Sequence, residues 1–161
     1  MSPQHEQIVA RIRTSAQAVR QAVERLPPER ERRAPRPGEW SVQETLIHLR
    51  NVVVMVHGLR IRRLFYETDP SFGDYDEAAG REAALRANES ARDLVEMIVR
   101  EHEQLAALLR TLPDDRWARQ GRHPELGPMS IEFLARRVAE HAEEHAAQAA
   151  AAAAAGSGLN S

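Results

Sequence analysis

The 161-residue sequence contains no cysteine and no lysine; all 22 of its basic residues are arginine. The first absence removes disulfides, thiolate metal ligands and cysteine nucleophiles. The second removes Schiff-base catalysis and a Walker A lysine. No apolar run approaches the roughly 20 residues a bilayer span requires, and the polar start Met1-Ser2-Pro3-Gln4 lacks the apolar core of a signal peptide. The expectation is a cytoplasmic protein with no membrane partner. A clearly basic balance is also missing: the net charge is −2, which argues against nucleic-acid binding. What remains for chemistry is histidine, carboxylate, hydroxyl and a bound metal.

What is present is helical periodicity. In residues 4–26, Ile8, Ile12, Val19, Val23 and Leu26 recur at helical steps and define one buried face. Pro27-Pro28 ends that segment. Ser41 and Glu44 form a capping box that opens a second helix, striped by Leu46, Leu49, Val53 and Val56 and running to about residue 66. A loop comes next, with a short helix around residues 76–79. A third helix is expected over residues 83–112, faced by Leu94, Ile98, Leu105, Leu109 and Leu112 and stopped by Pro113. A loop containing Trp117, Gly121 and Gly127 leads to a fourth helix, capped by Ser130 and running into an alanine tract that ends at Gly156. Strand signals are almost absent. These segments predict an all-α fold, a four-helix bundle with long crossover loops, occupying residues 1–148. Residues 149–161 read as a low-complexity, alanine-rich tail.

The fourth helix carries the most informative pattern. Its inward positions, Leu134 and Val138, continue in register onto His141, His145 and Gln148. Polar groups facing a bundle interior need partners, since an unpaired one costs about 1–3 kcal/mol. Histidines four apart project from the same side with about 6 Å of rise between them, so both can reach one ion at about 2.0–2.1 Å. A third ligand must come from another helix, and His48, on the edge of the second helix's stripe, is the best placed. Three neutral histidines leave at least one coordination position open, the pattern of a catalytic rather than a structural site. An HxxxH pair alone also arises by chance in helices rich in alanine and glutamate, and a histidine placed as His48 is, taken alone, more often a satisfied core or edge residue.

The other histidines rank lower. His57 falls nine residues after His48, about 180° around an α-helix, and is not expected to share its ion. His102 lies on the third helix's stripe, between Ile98 and Leu105, where it either lines the same cavity or, the more common case, packs in the core. His123 is a surface or capping residue, and His5 a solvated terminal one. Glu44 is either an orienter of His48 or only a cap. Glu140 and Glu144 point elsewhere on their helix, and Arg30–Arg33, Arg60, Arg62 and Arg63 read as solvated faces. The Asn88-Glu89-Ser90 glycosylation sequon carries no meaning in a cytoplasmic chain.

Taken in order, Arg36-Pro37-Gly38-Glu39-Trp40-Ser41 leading to His48-Leu49, then residues 59–65 and 74–77, Leu109-Arg110-Thr111-Leu112-Pro113, residues 122–127 and His141-Ala142-Glu143-Glu144-His145 resemble the DinB-like (DinB/YfiT) superfamily over about residues 4–148. The resemblance implies a four-helix bundle, commonly a homodimer, with a divalent metal, zinc or nickel, on His48, His141 and His145. It implies a small-molecule substrate, and the activities of relatives include metal-dependent hydrolysis and S-transfer with a low-molecular-weight thiol. Asn51 and Val53 stand where the family often carries acidic residues. The expected function is therefore metal activation of water or of such a thiol. The alternative is a non-catalytic, stress-associated metal-binding or dimerisation module. No catalytic residue beyond the ligands is assigned.

Overall fold

In the computed structural model, which describes residues 1–155, a four-helix bundle is built from α1 (Pro3–Val23), a long second helix and two further long helices, Ala91–Arg110 and Ile131–Ala155. The Ser2 hydroxyl caps α1 by accepting from the His5 amide, with Pro3 in the first turn. Ser41 and Glu44 close the expected capping box at the start of α2 (Val42–Asn51). The helix then runs without a break through a π-helical stretch, Val52–Gly58, into α3 (Leu59–Tyr66). A short helix, α4 (Glu77–Ala87), precedes α5 (Ala91–Arg110), and α6 spans Ile131–Ala155. Ser130 Oγ accepts from the Phe133 amide at 3.0 Å, as its capping role requires. No helix among the described residues is long and apolar enough to cross a membrane.

The core forms two adjoining clusters. One gathers Ile12, Ile61, Leu64, Leu105, Leu109, Trp117 and Leu134; the other gathers Val19, Leu46, Leu49, Leu94, Ile98 and Ala142. Ala149 and Ala152 of the alanine tract are buried in the second cluster, so α6 keeps packing to its last turns. The glycine stop expected at Gly156 lies outside the described residues.

Two expectations need correction. The helix expected over residues 83–112 is two helices, because Asn88 adopts a left-handed conformation (φ 57°) that closes α4, and Ser90 then caps α5. The loop after α5 contains a hairpin, β1 (Gln120–His123) and β2 (Gly127–Ser130), pairing antiparallel from Gln120 with Ser130 to His123 with Gly127. Neither strand holds a β-branched residue, which leaves no propensity signal to read. Gly127 supplies the positive φ (79°) of the turn.

The π stretch alters how the second helix is phased. A π turn holds one more residue than an α turn, so residues beyond it are rotated by about 100° relative to an uninterrupted helix. Gly58 permits it: a Cβ there would collide with the Val53 carbonyl oxygen and lie 2.8 Å from Glu101 Oε1. In an ordinary helix interior, Gly→Ala stabilises by about 1 kcal/mol. Here Gly58→Ala is expected to destabilise instead, by about 1–3 kcal/mol through overpacking. Urea unfolding midpoints decide the sign, and a stabilised alanine variant would contradict the role assigned to Gly58.

Candidate metal centre

α2 and α6 cross so that His48 faces His141 and His145. One ring nitrogen from each of the three lies within 4.8 Å of the others. The His48 and His141 Nε2 atoms are 3.1 Å apart. Around a tetrahedral ion with bonds of about 2.0–2.1 Å, neighbouring donors sit about 3.3–3.4 Å apart. The pair is thus already close to ligand spacing. The three imidazoles form a group that can hold a metal ion.

The far ring nitrogens show which tautomers are present. His48 Nδ1–H donates to Glu77 Oε1, from the first turn of α4. His145 Nδ1–H donates to Gln148 Oε1 at 2.7 Å. Both bonds leave the Nε2 lone pairs free for an ion, the carboxylate–histidine–metal logic of natural sites. His48 Nε2 therefore presents a lone pair to His141 Nε2, an arrangement satisfied by a proton or a cation between them. His141 Nδ1 is buried and has no hydrogen-bond partner among the described residues; Glu144 Oε2 lies 3.9 Å away, too far to accept.

Burial, reinforced by His145, His48, His57 and Arg137, pushes His141 down to about 3. Burial chiefly lowers His145 as well. Neutral imidazoles are the form that binds metal. Trp40 walls the site, its ring centroid 5.0 Å from that of His48, with the Arg81 guanidinium 5.7 Å from the indole centroid. Beyond Trp40 and Gln148 opens a groove of about 710 Å³, lined also by Arg36, Ala151, Ala152 and Ala155. That volume is in the range of small-molecule sites.

Several residues sit elsewhere than the sequence suggests. His57, expected on the opposite face of its helix, lies with its ring centroid 5.9 Å from that of His141, because the π stretch rotates it round. Glu44 serves its cap and approaches Arg81 at 3.5 Å, leaving Glu77 to orient His48. Glu77 carries no local signal of this role, because it comes from a separate short helix 29 residues from His48. His5 is not solvated: it stacks on Trp117 at 4.0 Å and bonds Asp114 at 2.7 Å. His123 takes the capping role of its two expected ones, buried rather than at the surface: its Nδ1 accepts from the amides of Glu125 and Leu126, and it bonds Asp74 at 3.0 Å. Arg60 is likewise buried, donating to the Gly73 carbonyl at 3.0 Å.

His102 occupies the expected core position, fully buried, with Nδ1–H donating to the Ile98 carbonyl at 2.8 Å. Burial lowers its pKa. It stays neutral in the folded chain, whereas the unfolded chain takes up a proton below about pH 6.5. The unfolded state then binds more protons, so stability falls as pH falls from that value. Metal-free protein is expected to melt progressively lower between pH 7 and pH 5. His102→Leu should make that slope shallower, by up to one proton's worth, in thermal melts recorded with chelator present.

The architecture is shared with a solved structure. Bacillus subtilis YfiT, described as a probable metal-dependent hydrolase with an unusual four-helix bundle topology, superposes with a TM-score of 0.79 at 22% identity, over 94% of this chain and 89% of that one. No curated protein matches the sequence. The family model of the DinB superfamily matches residues 11–149, nearly the whole described bundle, and the chain belongs to that superfamily.

Proposed function

We propose that the protein is a metal-dependent hydrolase in which His48, His141 and His145 hold one divalent ion, zinc or nickel, beside a groove that receives a small-molecule substrate. The observation that carries this reading is the convergence of three imidazoles, two already fixed by outer partners, Glu77 and Gln148. A divalent ion held there would supply Lewis acidity, bringing the pKa of a coordinated nucleophile toward neutrality. The chain's own contribution is positional. Glu77 and Gln148 keep their histidines in the ligating tautomer, Trp40 shields one side from water, and Trp40 and Gln148 join the site to the groove. YfiT's description as a probable metal-dependent hydrolase agrees with this assignment.

Stripping untagged protein with a chelator and reloading it with zinc or nickel tests the reading, assayed on a panel of esters and amides. Turnover should return with metal and stay absent in His145→Ala. Turnover only when a low-molecular-weight thiol and an electrophile are supplied would replace hydrolysis with S-transfer. Metal binding without turnover in either assay would leave a binding module.

A further inference from the structure

Of the three candidate ligands, only His141 lacks an outer partner. His48 has Glu77 and His145 has Gln148, whereas His141 Nδ1 is buried with none. If His141 binds through Nε2, its Nδ1 carries the proton and needs an acceptor; a buried donor left unpaired costs about 1–3 kcal/mol. Metal-ligating histidines almost always give that proton to a carboxylate, a carbonyl or a water.

A second orphan lies next to it. His57 Nδ1 is also buried without a partner, and the two rings meet edge-on, with centroids 5.9 Å apart and planes at 86°. The rings do not bond directly. One water can bridge two ring nitrogens by hydrogen bonds of about 2.8–3.0 Å each, at little cost relative to a direct bond. A water there would have two polar partners, the minimum that buried waters have.

The backbone gives an independent reason. π turns are rare and concentrate at functional sites, and this one, Val52–Gly58, ends one residue after His57. It needs a glycine at position 58. Its effect on the side chains is to carry His57 from the far face of the helix to the flank of His141.

We propose that His57 is a fourth imidazole of the centre, a positioning residue that holds His141 in its metal-ligating tautomer through one bridging water. The proposal rests on the three-histidine assignment. In it, the water accepts from His141 Nδ1–H and donates to His57 Nδ1, and the π stretch exists to place the acceptor.

Cobalt(II) titration of the full chain, followed by the visible absorption bands of the bound ion, tests this without any assay of activity. His57→Phe keeps a ring and removes the acceptor; His57→Leu takes its place if the phenylalanine variant does not fold. The expected result is a 10–100-fold loss of cobalt affinity, the usual effect of removing an outer partner, with altered cobalt bands and little change in the metal-free melting temperature. His57→Gln, which restores a side-chain acceptor, should recover most of the affinity. Wild-type affinity and bands in His57→Phe would overturn the proposal, as would an equal loss in His57→Gln. An affinity loss confined to Glu144→Gln would instead assign the partner of His141 to Glu144. Wild-type protein that binds no cobalt would overturn the centre itself, an outcome distinct from wild-type binding that His57 does not influence.

Discussion

His141→Ala should abolish stoichiometric metal binding while leaving the bundle folded. His141 touches both other members of the group: its Nε2 lies 3.1 Å from that of His48, and its ring centroid lies 4.4 Å from that of His145. Losing it leaves two imidazoles from different helices, too few to hold a divalent ion tightly. Affinity is expected to drop by at least about 10³-fold, more than outer-partner losses of 10–100-fold. Circular dichroism should remain helical, since removing a desolvated imidazole relieves a burial penalty as well as deleting packing. The metal-free variant should even lose less stability on acidification than wild type, because the group held down at about 3 is gone. Isothermal titration with zinc reads the affinity, and undiminished binding in the variant would exclude His141 as a ligand.

Trp117→Ala should be among the most destabilising single substitutions in the chain, at about 3–5 kcal/mol. Trp117 is 1% exposed and lies in the turn between α5 and β1. It is covered by the His5 ring, stacked at 4.0 Å with planes within 5°. His5 is in turn tied to Asp114 at 2.7 Å, and the Glu132 amide at the start of α6 donates to the Trp117 carbonyl at 3.0 Å. Trp117 thus joins the loop after α5 to the first turn of α1 through its indole and to the start of α6 through its backbone carbonyl. Against a total stability of about 5–15 kcal/mol, its removal leaves a marginal fold. Trp117→Phe should recover part of the loss by refilling the cavity, as guanidinium unfolding would show. An alanine variant within about 1 kcal/mol of wild type would contradict the core position given to this residue.

The sequence is most legible where one residue's neighbours are its own helical turn. The Ser41–Glu44 capping box, the stops at Pro27 and Pro113 and the stripe through Leu134, Val138 and His141 depend on local spacing, and they appear as expected. Legibility fails where the backbone departs from a constant 100° per residue. An ideal helix puts His57 on the wrong face, because nothing in Val52–Gly58 announces a π stretch except a glycine that also suits an α-helix poorly. It fails again for partners brought from afar. Glu77 is one acidic residue among many until α4 folds against α2, and Asn88 splits α4 from α5 by a single left-handed residue. The hairpin after Trp117 depends on Gly127 and on backbone pairing rather than on side-chain preference. Even so, the three histidines selected by register and resemblance are the three brought within ligand distance.

The central claim is one ion on these three side chains. Crystals of untagged protein loaded with zinc and measured at the zinc absorption edge test it most directly. The prediction is one anomalous peak per chain, about 2.0–2.1 Å from a nitrogen of each of His48, His141 and His145, with Glu77 and Gln148 on the opposite nitrogens of His48 and His145. A fully loaded crystal with no peak between α2 and α6, or with its peak on other residues, would contradict the account.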